Sequence, residues 1–267
     1  MLSDLLTVVS GWLPLVFAIV ALVLFLRRRQ PVFRSFGFSV SRWTLADLGV
    51  GLLIPAVSIG LVFVVEWALG AIGVSDGTTT WSGLLNDVLG QLLIAAVLEE
   101  LIYRVGLLSG VAAALDRVPY GRWIAVLATG ALFGAAHLGN EGASWVAAVG
   151  TGLGGVIYGI AFLATRSIWL PIALHFSWNV SQGLFGFPIS GHTVPGFAST
   201  QDLGPEILTG GAYGPEAGIP GMLARFVIIA LLFVYLKRRN PGGSIATLRF
   251  EPDPRRRSRT AAPATAG

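Results

Sequence analysis

The chain has 267 residues, of which 54% are hydrophobic and only 12% are charged, with a formal net charge of +4 and no cysteine. A soluble domain is about 25% charged and roughly 45–50% apolar, so this composition excludes an ordinary soluble enzyme and a disordered protein. The lack of cysteine excludes thiol chemistry and disulfide bonds. The mean hydropathy of +0.74 therefore predicts an integral membrane protein.

Several apolar segments approach the length of about 20 residues that a helix needs to cross a bilayer. In chain order they cover residues 5–26, 45–72, 84–115, 122–139, 143–165, 167–187 and 221–236. The sequence therefore predicts an all-α, polytopic transmembrane helix bundle of about seven spans. The fifth span is rich in glycine, which favours close packing against a neighbouring helix.

The basic residues follow this division of the chain. They lie mainly in the connections after the first, third, fifth and seventh spans, whereas the connections 73–83, 140–142 and 188–220 contain none. Under the positive-inside rule, this alternation predicts an N-terminus outside and a C-terminus in the cytoplasm. Arg225, at the outer end of the last span, runs against the rule. Because topology explains the positive charge, we predict the lipid bilayer and no nucleic acid as a partner.

Ionisable side chains inside a span cost about 2.5–3.5 kcal/mol each on insertion scales, so their presence suggests a function. A small set of polar residues lies within the third, fourth and sixth spans: Glu99, Glu100, Arg104, His137, His175 and Asn179. Glu66, in the second span, is interpreted as an interfacial or structural acid.

The spacing of these residues predicts which of them share a helix face. Glu100 and Arg104 are four positions apart and can form an ion pair. Glu99 is rotated by about 100° from Glu100 around the helix axis, so we expect it to have a different partner or a different role. His175 and Asn179 are also four positions apart, which directs the imidazole and the amide into the same cavity.

A carboxylate beside two imidazoles in a dry bundle is suited to activating water, because burial makes a glutamate a better general base. The histidines can polarise a scissile carbonyl, stabilise an oxyanion, or bind a metal ion that does both. Each element also has a structural interpretation: a buried ion pair for Glu100 and Arg104, a packing residue for His137, and interhelical hydrogen bonding for His175 and Asn179.

The three motifs, in this order, resemble those of the CPBP family of intramembrane proteases, which includes CAAX-prenyl proteases and bacteriocin-processing enzymes and is also called the Abi family. The family's EExxxR motif matches residues 99–104, its FxxxH motif matches residues 133–137, and its HxxxN motif matches residues 175–179. The resemblance covers about residues 86–183. It implies an all-helical membrane endopeptidase with a polar cavity.

The resemblance also implies roles for the motif residues. Glu99 resembles the family's catalytic glutamate, which acts with His137 to activate the attacking water. His175 and Asn179 resemble the residues that form the oxyanion site, while Glu100 and the motif arginine support them. The family is described both as metalloproteases and as metal-independent glutamate proteases. Whether one divalent metal such as zinc is bound by Glu99, His137 and His175, or none is, therefore stays open.

The chain is thus predicted to contain four regions: N-terminal transmembrane helices and loops (1–85), a CPBP-type catalytic core (86–183), an external loop with the last transmembrane helix (184–239), and a disordered basic cytoplasmic tail (240–267). We expect an endopeptidase of the cell membrane that hydrolyses a peptide or membrane-protein substrate.

Two alternatives from other classes remain. One is a non-proteolytic scaffold or immunity-type protein of the same family. The other is a small transporter or proton-coupled channel, which the lack of an internal repeat disfavours. The motifs of other intramembrane proteases, GxSG, GxGD and HExxH, are absent from the sequence.

Overall fold

The structure is a computed structural model that describes residues 37–240 and, separately, Ile19, without the side chains of residues 87–89. The predicted first span at 5–26, apart from Ile19, and the predicted tail beyond Asn240 lie outside the described residues. The first span and the disordered tail therefore stay predictions.

Helices dominate the described residues, as the apolar segments predict. They are α1 (Thr44–Ala68), α2 (Trp81–Leu85), α3 (Leu93–Glu100), α4 (Ser109–Ala114), α5 (Gly121–Ala136), α6 (Trp145–Thr165), α7 (Trp169–Leu184), α8 (Glu206–Thr209) and α9 (Ile219–Arg239). Two π-helical segments, Asn86–Leu92 and Leu101–Leu108, join α2, α3 and α4 into one continuous helical stretch. Such segments are rare and occur often at functional sites.

Three of these helices, α1, α6 and α9, are long and apolar enough to cross a membrane. Helix α5 is also apolar but has only 16 residues. The helical class and the membrane nature of the protein are therefore confirmed. The number of seven spans and the orientation of the termini stay predictions.

The glycine-rich helix α6 packs very closely against α5. A methyl group built on Gly134 would lie 2.0 Å from the carbonyl oxygen of Ala148, and one on Gly155 would lie 2.9 Å from the Cα atom of Gly130. Larger side chains would force the two helices apart. The close packing predicted from the glycines of the fifth span is thus present.

The three connections that lack basic residues meet at one end of the bundle. Strand β1 (Ile72–Asp76) pairs antiparallel with β2 (Ala198–Asp202), with Ile72 opposite Asp202 and Asp76 opposite Ala198. The side chain of Asn140 donates a hydrogen bond to the carbonyl of Ser190 over 2.7 Å. The segment 188–220 is therefore more than a loop: it contains β2, α8 and two 3-10 turns, Gly211–Tyr213 and Pro215–Ala217.

A buried ion pair closes the opposite end of the bundle. Asp47, in the first turn of α1, is completely buried and accepts two hydrogen bonds of 2.9 Å from Arg239. The hydroxyl of Tyr235 donates a third hydrogen bond to the same carboxylate over 2.6 Å. Two-point pairing of a guanidinium with a carboxylate is strong and directional. It fixes the last turn of α9 to the first turn of α1.

Candidate active site

The first sequence motif lies where α3 passes into the second π-helical segment. Glu99 and Glu100 end α3, and Arg104 follows within Leu101–Leu108. The Nε atom of Arg104 lies 3.0 Å from Oε2 of Glu100, and both side chains are at most 1% exposed. The contact is an ion pair in which the N–H is not aligned on the carboxylate oxygen. The pair predicted from the four-residue spacing therefore forms.

Both glutamates approach one imidazole, that of His175 on α7. Oε1 of Glu100 lies 3.0 Å from Nδ1 of His175, and Oε2 of Glu99 lies 3.8 Å from Nε2. Within residues 37–240, Glu99 forms no ion pair with Arg104, and the two glutamates share one imidazole. The imidazole presents its nitrogens on different edges of the ring, so two carboxylates that leave the helix in different directions can flank it.

The exposure of the two carboxylates differs. The side chain of Glu100 is completely buried, whereas that of Glu99 is 32% exposed. Because a carboxylate only accepts hydrogen bonds, the contact with Glu100 assigns the proton of a neutral His175 to Nδ1 and leaves Nε2 facing Glu99. Within the described residues, Oε2 of Glu99 is buried and, like Oε2 of Glu100, accepts no hydrogen bond. The exposed part of its side chain makes Glu99 the carboxylate that a substrate or water can reach.

Aromatic rings surround this cluster. Tyr158 stacks on His175 with 4.7 Å between ring centroids and 16° between the planes. The ring of Phe133 stands edge-on to His175 at 5.8 Å. The guanidinium carbon of Arg104 lies 5.0 Å from the Phe133 centroid and 5.3 Å from that of Tyr158. Cation–π contacts of this kind offset part of the cost of burying a charge.

His137 lies directly after the last residue of α5, and its ring centroid is 4.8 Å from that of Phe133. Its Nδ1 atom is 2.7 Å from the backbone carbonyl of Phe133. Because a carbonyl only accepts, Nδ1 carries the proton of a neutral His137 and Nε2 is an acceptor. No ion pair joins His137 to Glu99 or Glu100 within residues 37–240. The ring of Phe133 touches both histidines.

Asn179 lies one turn after His175 on α7 and is half-buried. Its side chain makes no hydrogen bond within residues 37–240, so its amide is available to a bound molecule. The structure thus joins Glu99, Glu100, Arg104 and His175 by direct contact, brings His137 to the other side of Phe133, and adds Asn179 through the helix that carries His175.

The predicted metal-binding set does not have the geometry of a metal centre. In the described part of the chain, no three His, Cys, Asp or Glu side chains cluster closely enough to hold a metal ion. Glu99 and His175 approach each other to 3.8 Å, and His137 pairs with neither. This arrangement of donor atoms does not fit a bound metal ion, so the mechanism proposed for the site uses none.

Comparison with known families bears on this arrangement. Residues 80–181 match the family model described as type II CAAX prenyl endopeptidase Rce1-like. The chain contains an Rce1-like domain. This domain is consistent with the CPBP family, so the predicted resemblance is confirmed, and it implies intramembrane protease activity in general. No curated protein and no solved structure matches the chain.

A second buried ion pair lies after the Rce1-like domain, and sequence reasoning missed it. Glu216, in the segment between α8 and α9, accepts hydrogen bonds from Arg225 over 2.6 Å and from the indole of Trp178 over 3.0 Å. The hydroxyl of Ser190 donates to its other carboxylate oxygen. This pairing explains why Arg225 runs against the positive-inside rule: its charge is neutralised within the protein. The signal in the sequence was an acid nine positions before the exceptional arginine.

Tyr158 is a further site residue that the sequence analysis missed. It lies inside the Rce1-like domain and contacts His175, but a tyrosine in the middle of a glycine-rich span gives no signal of a role.

Glu66 was assigned an interfacial or structural role from the sequence. It lies before the Rce1-like domain, is completely buried, and has no hydrogen-bond partner for its carboxylate within the described residues. Its position near β2 is consistent with the structural interpretation.

Proposed function

We propose that this protein is an intramembrane endopeptidase in which Glu99 is the general base that activates water. The observation that carries the proposal is the unequal pair of carboxylates around His175. Glu100 is completely buried and contacts both Arg104 and His175, whereas the side chain of Glu99 is 32% exposed and lies 3.8 Å from His175. Glu99 is therefore the carboxylate free to take a proton.

Hydrolysis begins with a water molecule bound between Glu99 and His137. The bond from His137 Nδ1 to the carbonyl of Phe133 leaves Nε2 as an acceptor, which suits it to orient the water beside the glutamate. Glu99 removes one proton from the water as its oxygen bonds to the carbonyl carbon of the substrate. Removal of a proton by a positioned side chain accelerates such steps by about 10²–10⁴-fold.

The oxyanion that forms on the substrate needs hydrogen-bond donors. Asn179 supplies an amide N–H, and His175 supplies Nε2–H when its ring is an imidazolium, a form that Glu100 stabilises by accepting from Nδ1 over 3.0 Å. The intermediate then collapses. The C–N bond breaks, Glu99 returns its proton to the amine that leaves, and the other product is a carboxylic acid.

Arg104, the remaining motif residue, supports this chemistry through its contact with Glu100. Arg104 holds Glu100 in its charged form, and Glu100 in turn holds His175. The substrates to test first are C-terminal CAAX peptides, with and without a prenyl group, because the family description names them. Peptides from membrane-protein substrates are the next class, and the membrane in which the enzyme works is the cell membrane.

The test compares the purified wild-type chain with Glu99→Gln in detergent and in liposomes. We expect wild type to cleave at least one peptide and Glu99→Gln to lose at least about 10²-fold in rate, with an unchanged melting temperature. The matched control is Glu206→Gln, which alters an exposed glutamate outside the site and should retain full activity.

The outcomes separate the alternatives. Cleavage by Glu99→Gln at the wild-type rate would remove Glu99 as the base. If correctly folded wild type cleaves no member of the peptide set, the non-proteolytic scaffold becomes the better description. Metal content is measured on the same preparations, because stoichiometric zinc lost on mutation of His137 or His175 would assign these residues as ligands.

A further inference from the structure

Tyr158 is a buried residue of α6 that none of the three motifs contains. Its ring lies nearly parallel to the His175 imidazole, 4.7 Å away between centroids and tilted by 16°. Only 3% of the tyrosine is exposed, so a substrate cannot reach it. Any effect of Tyr158 on the reaction is therefore transmitted through His175, on which its ring stacks.

The two carboxylates alone do not fix the plane of that histidine. A hydrogen bond from Nδ1 to Glu100 fixes one atom of the ring, but coupled changes of χ1 and χ2 can still tilt the ring plane. Such a tilt would move Nε2 away from Glu99, from which it is separated by 3.8 Å. The face of Tyr158 on one side of the ring and the edge of Phe133 near it remove this freedom.

We propose that Tyr158 is a positioning residue that holds the plane of His175, so that Nδ1 stays on Glu100 while Nε2 stays directed at Glu99. The stack thus supports the orientation of His175 that the oxyanion site needs. Its kinetic consequence rests on the proposed function, whereas its effect on the histidine does not.

Tyr158 is itself held from the far side of α6. Its side chain interacts with Arg225 and borders the same small cavity as Arg225 and Trp178. Arg225 fits against α6 only because Gly154 has no side chain: a methyl group there would lie 2.1 Å from the guanidinium. Glu216 fixes Arg225 in turn. The orientation of His175 therefore depends on a chain of contacts that begins outside the Rce1-like domain.

The test uses three variants of the full chain: Tyr158→Leu, which removes the ring; Tyr158→Phe, which keeps it; and Phe162→Leu, which removes a buried ring one turn further along the same helix. Tyr158→Met replaces the first variant if Tyr158→Leu does not fold. The primary readout is the nitrogen-15 NMR spectrum of the histidine side chains in detergent. The chain has only three histidines, so the His175 signals are identified by their loss in His175→Gln.

We expect wild type, Tyr158→Phe and Phe162→Leu to show a single His175 tautomer with the proton on Nδ1. Tyr158→Leu should show a mixture of tautomers. In peptide cleavage, Tyr158→Leu should lower kcat about 10- to 100-fold with little change in KM, because misplacing a catalytic group by about 1 Å can cost that much. Tyr158→Phe should restore kcat to within about threefold of wild type, since the stack survives.

A wild-type His175 spectrum in Tyr158→Leu would overturn the proposal, even if that variant cleaves slowly. An equal change of spectrum in Phe162→Leu would also overturn it, since the effect would then come from loosening α6. If wild type cleaves no peptide but the tautomer changes as expected, the proposed function fails while the positioning role stands. If wild type cleaves a peptide and the spectrum of Tyr158→Leu is unchanged, the positioning role fails while the proposed function stands.

Discussion

Two of the buried carboxylate clusters, around Glu216 and around His175, differ in how completely their carboxylates are paired. Around Glu216, both carboxylate oxygens accept hydrogen bonds, from Arg225, Trp178 and Ser190, while Nε of Arg225 has no partner within the described residues. Around His175, Oε2 of Glu99 and Oε2 of Glu100 accept no hydrogen bond there, and Nε and Nη2 of Arg104 donate none. Buried polar groups are nearly always paired, so each exception calls for an explanation.

This difference indicates that the cluster at Glu216 stabilises the fold, whereas the cluster at His175 is suited to chemistry. A buried carboxylate whose two oxygens both accept hydrogen bonds, such as that of Glu216, makes the interior rigid and specifies one arrangement. The cluster at His175 instead keeps one partly exposed carboxylate whose bonding capacity is left for a bound molecule. The same substitution, glutamate to glutamine, should therefore have different consequences at Glu100, Glu216 and Glu99.

The largest combined effect is expected for Glu100→Gln. The change leaves the buried Arg104 without its counter-charge, and breaking a buried pair can cost about 3–5 kcal/mol. It also removes the acceptor that stabilises a charged His175. Both the melting temperature in detergent and the cleavage rate should fall. An unchanged melting temperature would show that the pair does not stabilise the fold.

Glu216→Gln should lower stability without directly altering the chemistry. It leaves Arg225 unpaired in the interior, at a cost in the same range of about 3–5 kcal/mol. The rate per folded molecule should stay within about tenfold of wild type, because no hydrogen bond or ion pair joins Glu216 to His175, Glu99 or Glu100 within residues 37–240. Thermal unfolding combined with active-site titration measures the two quantities separately. A much larger loss of rate would assign Glu216 to the active site.

Asn179→Ala should lower activity without lowering stability. Its side chain makes no hydrogen bond within residues 37–240, so its removal should leave the melting temperature within about 1 °C of wild type. Loss of an oxyanion donor typically lowers kcat by about 10²–10³-fold. Steady-state kinetics on the peptide that wild type cleaves provides the measurement. Full activity in this variant would remove Asn179 from the oxyanion site.

The smallest effect is expected at Asp202, at the end of β2. Burial raises the pKa of its carboxyl above the ordinary value of 3.8. A carboxyl whose pKa is higher in the folded state stabilises the fold below its unfolded pKa, and this contribution is lost as the pH rises through the folded pKa. Asp202→Asn should therefore raise the melting temperature slightly at neutral pH, and not at pH values below the ordinary pKa. A gain that is equal at both pH values would contradict this.

The sequence predicted the helices and the motif contacts that depend on neighbouring residues. Apolar runs of sufficient length located α1, α5, α6, α7 and α9, and a four-residue spacing predicted the pair of Glu100 with Arg104. The approach of Glu99 to His175 could not be predicted from a regular helix, because the contact depends on how α3 and α7, which are distant in the sequence, pack against each other.

The other missed features also depend on distant parts of the chain. Strands β1 and β2 have five residues each and no connecting hairpin, so neither gives a signal strong enough to suggest the pairing. Glu216 looked like an acid of an external connection because its burial requires Trp178, Ser190 and Arg225 to converge from three segments. Such convergence is a property of packing and has no local pattern in the sequence.

The ion pair of Asp47 with Arg239 has a consequence for how the protein is made. Its partners are 192 positions apart, and at a synthesis rate of about 5–20 residues per second the arginine emerges roughly 10–40 s after the aspartate. During that interval Asp47 has none of the three hydrogen bonds that it accepts in the finished bundle. Helix α1 must therefore enter the membrane with an unpaired acid at its end, and α1 and α9 are joined only when α9 arrives.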